Sequence, residues 1–244
     1  MKIKIEISFS GELVLPQHYN NIIQAVIYKW INDDNYRDFI HNEGYRYEKR
    51  NYKLFSFSKI FGKFSINRER GIITFYDKLY LYLSAMDERF LQYLTNGIIT
   101  SEKIILKGKE AFVTSIEVIR EEPKEELLVY TLSPITVSST AMIGESKKTY
   151  YYTPMEKEFS EMIRKNLIKK IIAFTGSEPD NLDFEIRKAG DKLKESVLSY
   201  KGFVIKGWNG EFLLKGSKEL MSAALNSGLG SKNSQGFGFI MIKK

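Results

Sequence analysis

The chain has 244 residues, enough for one large or two small domains, and 43% of them are hydrophobic, which is sufficient for a sizeable core. It contains no cysteine and only two histidines, which excludes a disulfide scaffold, a zinc ribbon, a thiol nucleophile and a multi-histidine metal cage. The net charge of +7 suggests a polyanionic partner, although an ordinary basic protein has the same balance. Because no apolar run resembles a signal peptide or a membrane span, we expect a cytoplasmic protein.

The first half of the sequence predicts strands and helices in alternation. Residues 3–9 alternate apolar and polar side chains, which is the period of a half-buried strand, and residues 22–31 place apolar side chains on one helical face. The later elements predicted in this half are a short helix (35–41), strands at 53–57 and 71–83, a helix that opens at Ser84 and Asp87 and runs to Gly97, and one or two strands at 104–119.

A charged segment interrupted by Pro123, residues 120–126, predicts a linker at the middle of the chain. Beyond it the same element order returns. The helix that begins at Thr153 has the strongest signal, because Pro154 occupies the first helical position and Glu156 lies three residues after the predicted cap. The other elements predicted here are strands at 127–132, near Phe184, at 197–214 and at 237–242, and a helix at 217–226.

Each half therefore has the order β-α-β-β-α-β, which is typical of the ferredoxin-like fold. We predict an α+β protein of two tandem ferredoxin-like (RRM-like) domains, at residues 1–122 and 123–244. The two halves share the order of elements and no repeat of residues.

A glycine-rich segment near the C-terminus, residues 228–238, is the most informative part of the sequence. Its glycines let the backbone approach a ligand and turn N–H groups toward it, and Lys232 adds a cation. A dinucleotide fingerprint fails on element order, and a Walker A loop fails because Phe237 follows Gly236. Residues 235–240 overlap the RNP1 pattern of RNA-recognition motifs without its leading basic residue; a loop whose glycines only relieve strain is the alternative.

Three segments together resemble one known family. They are Thr131-Leu132-Ser133-Pro134-Ile135, Pro154-Met155-Glu156-Lys157-Glu158-Phe159 and the glycine-rich segment. The last resembles the signature loop of the RAMP superfamily, and all three resemble its CRISPR-associated endoribonucleases, the Cas6 family, over nearly the whole chain. The resemblance implies binding of CRISPR repeat RNA and one cut that releases guide RNAs. It also implies RNA contacts from Gly228, Gly230, Ser231, Lys232, Asn233, Gln235, Gly236 and Gly238.

Metal-independent RNA cleavage uses the neighbouring 2′-hydroxyl as nucleophile, and it needs a base, an acid and a cation near the phosphorane. Tyr28 and His41 resemble the catalytic tyrosine and histidine of the family. Tyr28 falls on the polar side of its predicted helix, with Gln24, where an ordinary surface tyrosine fits as well. For His41 the alternative is a packed or solvent-facing residue at a helix end, and His18 is the other histidine. The sequence leaves open which group is the base and which is the acid.

The third catalytic group implied is a lysine just before the next strand, and Lys53 matches that position best. The interval from His41 is longer than is usual in the family, so Lys49 and Arg50 stay candidates for this role, and both are also candidate RNA contacts. Residues 44–70 hold the densest basic run of the chain, which is either an RNA track or a solvated loop. No metal ion or other cofactor is expected.

These features predict a metal-independent endoribonuclease that leaves 2′,3′-cyclic phosphate and 5′-hydroxyl ends. A non-catalytic RAMP subunit of a CRISPR complex is the alternative, and an RNA-recognition module unrelated to CRISPR is a third reading. Repeat RNA is the predicted partner. Other CRISPR effector subunits and a second copy of the chain are further candidate partners, and no membrane is expected.

Overall fold

The structure is a computed structural model that describes residues 1–144 and 146–243. Its first half builds one antiparallel sheet with helices packed against it. In chain order the elements of this half are β1 (Lys2–Pro16), α1 (Asn20–Trp30), α2 (Asp34–Asp38), a π-helical turn (Phe39–Glu43), β2 (Tyr45–Tyr47), β3 (Arg50–Tyr52), β4 (Phe55–Phe57), β5 (Phe61–Asn67), β6 (Ile72–Ala85), α3 (Glu88–Thr100), β7 (Ile104–Leu106) and β8 (Lys109–Ile119).

The first sheet is organised around β1, which pairs antiparallel with β6 on one side and with β8 on the other. Ile3, Ile5 and Ile7 share one face of β1 and are buried in the same core as the apolar residues of α1 and α3. The order β4-β6-β1-β8 is that of a ferredoxin-like domain. The short strands β2 and β3 form a separate hairpin between α2 and β4.

The second half repeats this arrangement with a sheet of order β12-β13-β9-β14. No helix in the described ranges combines the length and apolar character that crossing a membrane requires. The elements of this half are β9 (Glu126–Thr131), β10 (Ser138–Ile143), β11 (Ser146–Tyr151), α4 (Lys157–Thr175), β12 (Phe184–Tyr200), β13 (Phe203–Gly216), α5 (Lys218–Ser227), a 3-10 turn (Asn233–Gln235) and β14 (Ile240–Ile242).

Buried polar contacts join the two halves. The hydroxyl of Ser133 donates to the carbonyl of Phe57 at 3.0 Å and accepts from the backbone N–H of Phe239 at 2.9 Å. The ammonium of Lys2, at the start of β1, is almost fully buried; it pairs with Glu121 and donates to the carbonyl of Ile240 in β14 at 2.5 Å. Such contacts are costly to break when no water replaces them, so they hold the halves in one arrangement.

The start of α4 differs from the predicted one. The helix begins at Lys157 with Glu156 as its N-cap, so the prediction that Thr153 caps it and Pro154 opens it is wrong. The carboxylate of Glu156 instead accepts a hydrogen bond from the backbone N–H of Thr153 at 2.5 Å. A capping box contains such a bond from a backbone N–H to an acidic side chain three residues later. Here the bond stabilises the turn before the helix and not the first turn of the helix.

Both predicted ends of α3 are also wrong. Asp87 is the N-cap and accepts from the backbone N–H of Arg89 at 3.0 Å, whereas Ser84 is buried inside β6 and bonds to Ser56. Gly97 does not end the helix, which continues to Thr100.

Several strands were not predicted from the sequence. Most of β5 is exposed, and β2 and β3 are only three residues long, which is too short for a clear alternation of apolar and polar residues. The hairpin β10–β11 was also missed. The segment 197–214 is not one strand, because Lys201 and Gly202 turn the chain with positive φ angles of 49° and 83°. The last strand begins at Ile240 rather than at 237.

Gly97 lies where α3 crosses α1, and a Cβ there would overlap the carbonyl oxygen of Trp30. Gly97→Ala should therefore lower the free energy of unfolding by about 1–3 kcal/mol through overpacking. Alanine in an open helix position would instead stabilise the protein by about 1 kcal/mol. Urea denaturation measures the difference, and Asn96→Ala on the exposed side of the same helix is the control. A more stable Gly97→Ala protein would contradict this close helix crossing.

Candidate active site

Tyr28 lies on the side of α1 that meets the second half of the chain. Its side chain is only 9% exposed, and its ring packs edge-on against Phe55 with 5.9 Å between ring centroids. The alternative of an ordinary surface tyrosine is therefore wrong. Gln24, one turn earlier, donates to the carbonyl of Ser234 at 2.6 Å, so this polar side of the helix is an interface. Burial raises the pKa of Tyr28 above its ordinary value, with a smaller contribution from Tyr200, and keeps the phenol neutral.

His41 lies in the π-helical turn after α2 and is exposed to solvent. Its ring meets the ring of Tyr28 at a centroid distance of 4.9 Å and an angle of 78°. Nδ1 lies 2.8 Å from Oδ1 of Asn42. Because an amide oxygen can only accept, Nδ1 carries the hydrogen of this bond. In the neutral imidazole, Nε2 is then left as an unprotonated nitrogen that can accept a proton.

Lys53 lies directly before β4, beside the His41 turn. The turn ends at Gly44, whose φ of +70° and close approach to Tyr52 and Lys53 leave no room for a side chain. The ammonium of Lys53 donates to the carbonyl oxygen of His41 at 3.0 Å. Burial lowers the pKa of Lys53, and the nearby Glu43 opposes part of that change. Lys53 is therefore tied to the backbone of the histidine turn.

Tyr28, His41 and Lys53 line one cleft of 490 Å³ between the two halves. Two further lysines, Lys201 and Lys232, also line it, and among the described lining residues there is no carboxylate. A cleft of this charge suits a phosphodiester. Within the described ranges, no three His, Cys, Asp or Glu side chains come together as ligands for a metal ion. The other lining residues are Gln24, Tyr200, Phe203, Ile205, Ser234 and Gln235.

The glycine-rich segment packs tightly between the halves. Gly236 has a φ of +84°, and a Cβ there would lie 2.6 Å from the amide nitrogen of Asn20 and 2.7 Å from the ring of Phe57. The backbone N–H groups of Leu229, Ser231 and Gly238 donate to carbonyl groups of the protein, so the prediction that the loop turns its N–H groups outward is wrong for these three. The buried glycines are Gly228, Gly230, Gly236 and Gly238.

A buried lysine of α4 donates hydrogen bonds to the glycine-rich segment. Lys170 of α4 is 3% exposed and donates to the carbonyl of Gly228 at 2.7 Å, to the side-chain oxygen of Asn233 at 2.8 Å and to the carbonyl of Ser227 at 3.5 Å. The amide of Asn233 also donates to the carbonyls of two neighbouring loop residues. The burial of Asn233 and of the four glycines favours a supporting role for them over direct RNA contact. Ser231, Lys232 and Gln235 are half-buried and line cavities.

The alternative cations and the second histidine lie outside the cleft. Lys49 lines a separate cavity with Glu43 and Arg46, and Arg50 lines a cavity next to the cleft. His18 accepts a hydrogen bond from the backbone N–H of Ser199 at 3.3 Å and is not among the residues that line the cleft. Of Lys49, Arg50 and Lys53, the three candidates for the catalytic cation, Lys53 is the one that shares a cleft with both Tyr28 and His41.

Both halves of the chain match models of one protein family. Residues 14–117 match "CRISPR-associated protein Cas6, N-terminal", and residues 118–242 match "CRISPR associated protein Cas6, C-terminal". The chain belongs to the Cas6 family. The resemblance to this family in the sequence is therefore confirmed.

Individual Cas6 proteins are similar to the chain over nearly its full length. The CRISPR-associated endoribonuclease Cas6 1 of Methanocaldococcus jannaschii is 29% identical, covering 99% of this chain and 92% of that protein. The CRISPR-associated endoribonuclease Cas6 of Pyrococcus furiosus is 28% identical, covering 94% and 84%. The structure of a Cas6-related protein from Pyrococcus furiosus superposes with a TM-score of 0.86 at 26% identity, covering 100% and 98% of the two chains. The predictions of an endoribonuclease and of the tandem ferredoxin-like fold are confirmed.

Some residues of the Cas6 cleft were missed from the sequence. Tyr200, Lys201 and Phe203 come from the tip of the β12–β13 hairpin, where the hydroxyl of Tyr200 donates to the side-chain oxygen of Gln24. The Lys201-Gly202 pair between apolar strand residues was the available turn signal. The sequence provides little indication that Lys170 is buried, because a lysine among apolar residues of a helix usually extends its ammonium group into solvent.

Lys170→Met should destabilise the protein by about 2–4 kcal/mol, because it leaves the buried acceptors of the glycine-rich segment without a donor. Burial lowers the pKa of Lys170 to about 7. Keeping Lys170 protonated in the folded state therefore lowers the free energy of unfolding. The whole loss is present below pH 7, and it shrinks as the pH rises toward 10.5, the ordinary pKa of lysine.

The unfolding free energy of the wild-type protein should accordingly rise between pH 7 and 9.5 relative to that of Lys170→Met. Urea denaturation at both pH values measures this difference. Lys165→Met, on the exposed side of the same helix, is the matched control. If Lys170→Met and the control lose the same small amount of stability, Lys170 does not support the segment.

Proposed function

We propose that the chain is a metal-independent endoribonuclease that binds CRISPR repeat RNA and cleaves it by attack of a ribose 2′-hydroxyl on the adjacent phosphate. The observation that carries the proposal is that Tyr28, His41 and Lys53 line one cationic cleft. In this assignment the N-terminal domain, residues 1–122, supplies these three groups. The C-terminal domain, residues 123–244, supplies the glycine-rich segment and the hairpin tip that close the cleft.

The reaction requires two proton transfers. The 2′-oxygen forms a bond to phosphorus as its proton leaves, and the bond to the 5′-oxygen breaks as that oxygen gains a proton. We assign the first proton to Nε2 of His41, which the bond from Nδ1 to Asn42 leaves available. We assign donation toward the leaving 5′-oxygen to the phenol of Tyr28, because its raised pKa keeps it protonated at neutral pH. The products carry a 2′,3′-cyclic phosphate and a 5′-hydroxyl.

The negative charge that develops on the phosphorane needs a cation. An ammonium has three donors, and Lys53 uses one of them on the carbonyl of His41. Its remaining donors are free to bind phosphate oxygens, and Lys232 adds a second positive charge from the second half of the chain. Because the cleft lies between two packed halves, these charges are screened less than exposed ones.

The RNA is proposed to leave the cleft along the groove formed by the glycine-rich segment and the β2–β3 hairpin. Lys232 and Gln235 line both the cleft and the next cavity, and Ser231 and Arg50 line that cavity. Lys49 flanks this path from its own cavity. The glycines would act by letting the segment pack closely enough to present these side chains.

Cleavage of a labelled repeat RNA should continue in excess EDTA and give one cut. His41→Ala should bind the RNA with unchanged affinity and cleave about 10²–10⁴-fold more slowly, because one acid–base group is lost. His18→Ala is the matched control and should cleave at the wild-type rate. Single-turnover rates and end-group analysis of the products measure these effects. Full activity of His41→Ala, or loss of activity with EDTA, would contradict the mechanism.

Tyr28→Phe should cleave about 10²–10³-fold more slowly than the wild-type protein, which is the usual effect of removing a donor to developing charge. The ratio of the two rates should stay constant from pH 6 to 9, because burial raises the pKa of Tyr28 above its ordinary value of 10 and the phenol stays protonated. Tyr93→Phe on α3 is the control. A ratio that grows about tenfold with each pH unit would identify the phenolate as the base instead.

A further inference from the structure

A second cavity opens directly beside the cleft. It has a volume of 370 Å³ and shares four lining residues with the cleft: Lys53, Lys232, Ser234 and Gln235. Its outer wall is the β2–β3 hairpin with Arg50 and Tyr52, and its floor is formed by α4. A chain whose phosphate occupies the cleft therefore has its next nucleotide within reach of this cavity.

The charges of the cavity suit a nucleotide. Three cationic side chains line it beside the buried Lys170, those of Arg50, Lys53 and Lys232, and no carboxylate is among the described residues of its lining. Lys170 is already bound to the glycine-rich segment, and Lys53 to the carbonyl of His41. Arg50 is exposed and Lys232 is half-buried, and these two remain for a phosphate at the rim.

Two amide side chains distinguish this cavity from a simple phosphate site. The side-chain oxygens of Asn166 and Gln235 are buried and have no hydrogen-bond partner within the described ranges. A buried acceptor without a partner is unfavourable, so a hydrogen-bond donor on a ligand would stabilise each of these oxygens. Both residues line the cavity and are half-buried overall, so each amide lies next to the space that a ligand would occupy.

The placement of Asn166 follows from the helix that carries it. Met162, Asn166 and Lys170 succeed one another at intervals of four residues and therefore share one face of α4. Lys170 holds the glycine-rich segment from this face, and Met162 lines the next part of the groove beyond Asn166. Asn166 therefore lies between Met162 and Lys170 on this face and lines the cavity together with Gln235 of the segment.

We infer that this cavity is a subsite for one unpaired nucleotide next to the cleaved phosphate, and that Asn166 and Gln235 read its base. The inference rests on the proposed cleavage of repeat RNA in the neighbouring cleft. Two unsatisfied acceptors require two N–H donors on the base. Adenine, cytosine and guanine each provide an amino group with two hydrogens, whereas uracil has a single N–H. The subsite therefore selects against uracil at one position beside the cut.

The test uses repeat RNAs in which each of the three nucleotides on either side of the cut is replaced in turn by the other bases. Single-turnover cleavage rates are measured for the wild-type protein, Asn166→Ala and Gln235→Ala. The matched controls are Asn96→Ala and Gln92→Ala, exposed residues of α3 that line neither cavity. Thermal denaturation establishes that every variant is folded.

For the wild-type protein, uracil at one of these positions should slow cleavage about 10-fold or more, which is the discrimination expected of paired hydrogen bonds to a base. Asn166→Ala and Gln235→Ala should lose that discrimination, so that the uracil-containing RNA and the other base variants are cut at similar rates, and the controls should keep it.

Two results would overturn the subsite. One is equal cleavage of all base variants by the wild-type protein, and the other is an equal slowing of every RNA by Asn166→Ala, which indicates a role in holding the segment. Both leave the endoribonuclease intact, since the original repeat RNA is still cut. Failure of the wild-type protein to cut that RNA would instead refute the proposed function.

Discussion

The arrangement of the site depends on the contact between the glycine-rich segment and the first helix. Asn20 and Gln24 of α1 donate to the carbonyls of Gln235 and Ser234 at 2.8 and 2.6 Å, across more than 200 residues of sequence. Gly236 makes this approach possible, because a side chain there would collide with Asn20 and Phe57. Each such hydrogen bond contributes only about 1 kcal/mol, but together they fix where Lys232 lies relative to Tyr28.

This contact makes the cleft a product of both halves. Tyr28, His41 and Lys53 come from the first half, and Lys201, Lys232 and the hairpin tip come from the second. Within the cleft the environments of the two acid–base candidates differ. The phenol of Tyr28 is buried and its pKa is raised, whereas the imidazole of His41 is exposed. A buried neutral donor beside an accessible imidazole is an arrangement that supports transfer of two different protons in one reaction.

The sequence was informative where a pattern is local. The alternation in β1 and the apolar face of α1 gave the central strand and the first helix, and Ser217 correctly marked the start of α5. The segment around Ser133 was noticed as a motif, and its role became visible only in three dimensions, where Ser133 joins Phe57 to Phe239.

Structural features that depend on contacts between distant parts of the chain could not be predicted from local sequence patterns. Tyr28 was assigned to a polar surface because a helical wheel does not reveal that a second domain covers that surface. Gly97 was taken as a helix end because the sequence cannot tell a terminating glycine from one at a helix crossing. The glycines of the C-terminal segment were interpreted as a cradle for phosphate, and the structure uses them for close packing around Lys170.

The most direct measurement is a crystal structure of the protein with a repeat RNA that carries deoxyribose at the cleavage position and therefore cannot be cut. We expect the phosphate at that position to lie between Tyr28, His41 and Lys53 and to contact Lys232. A phosphate found on another surface, with these four side chains free of RNA, would contradict it.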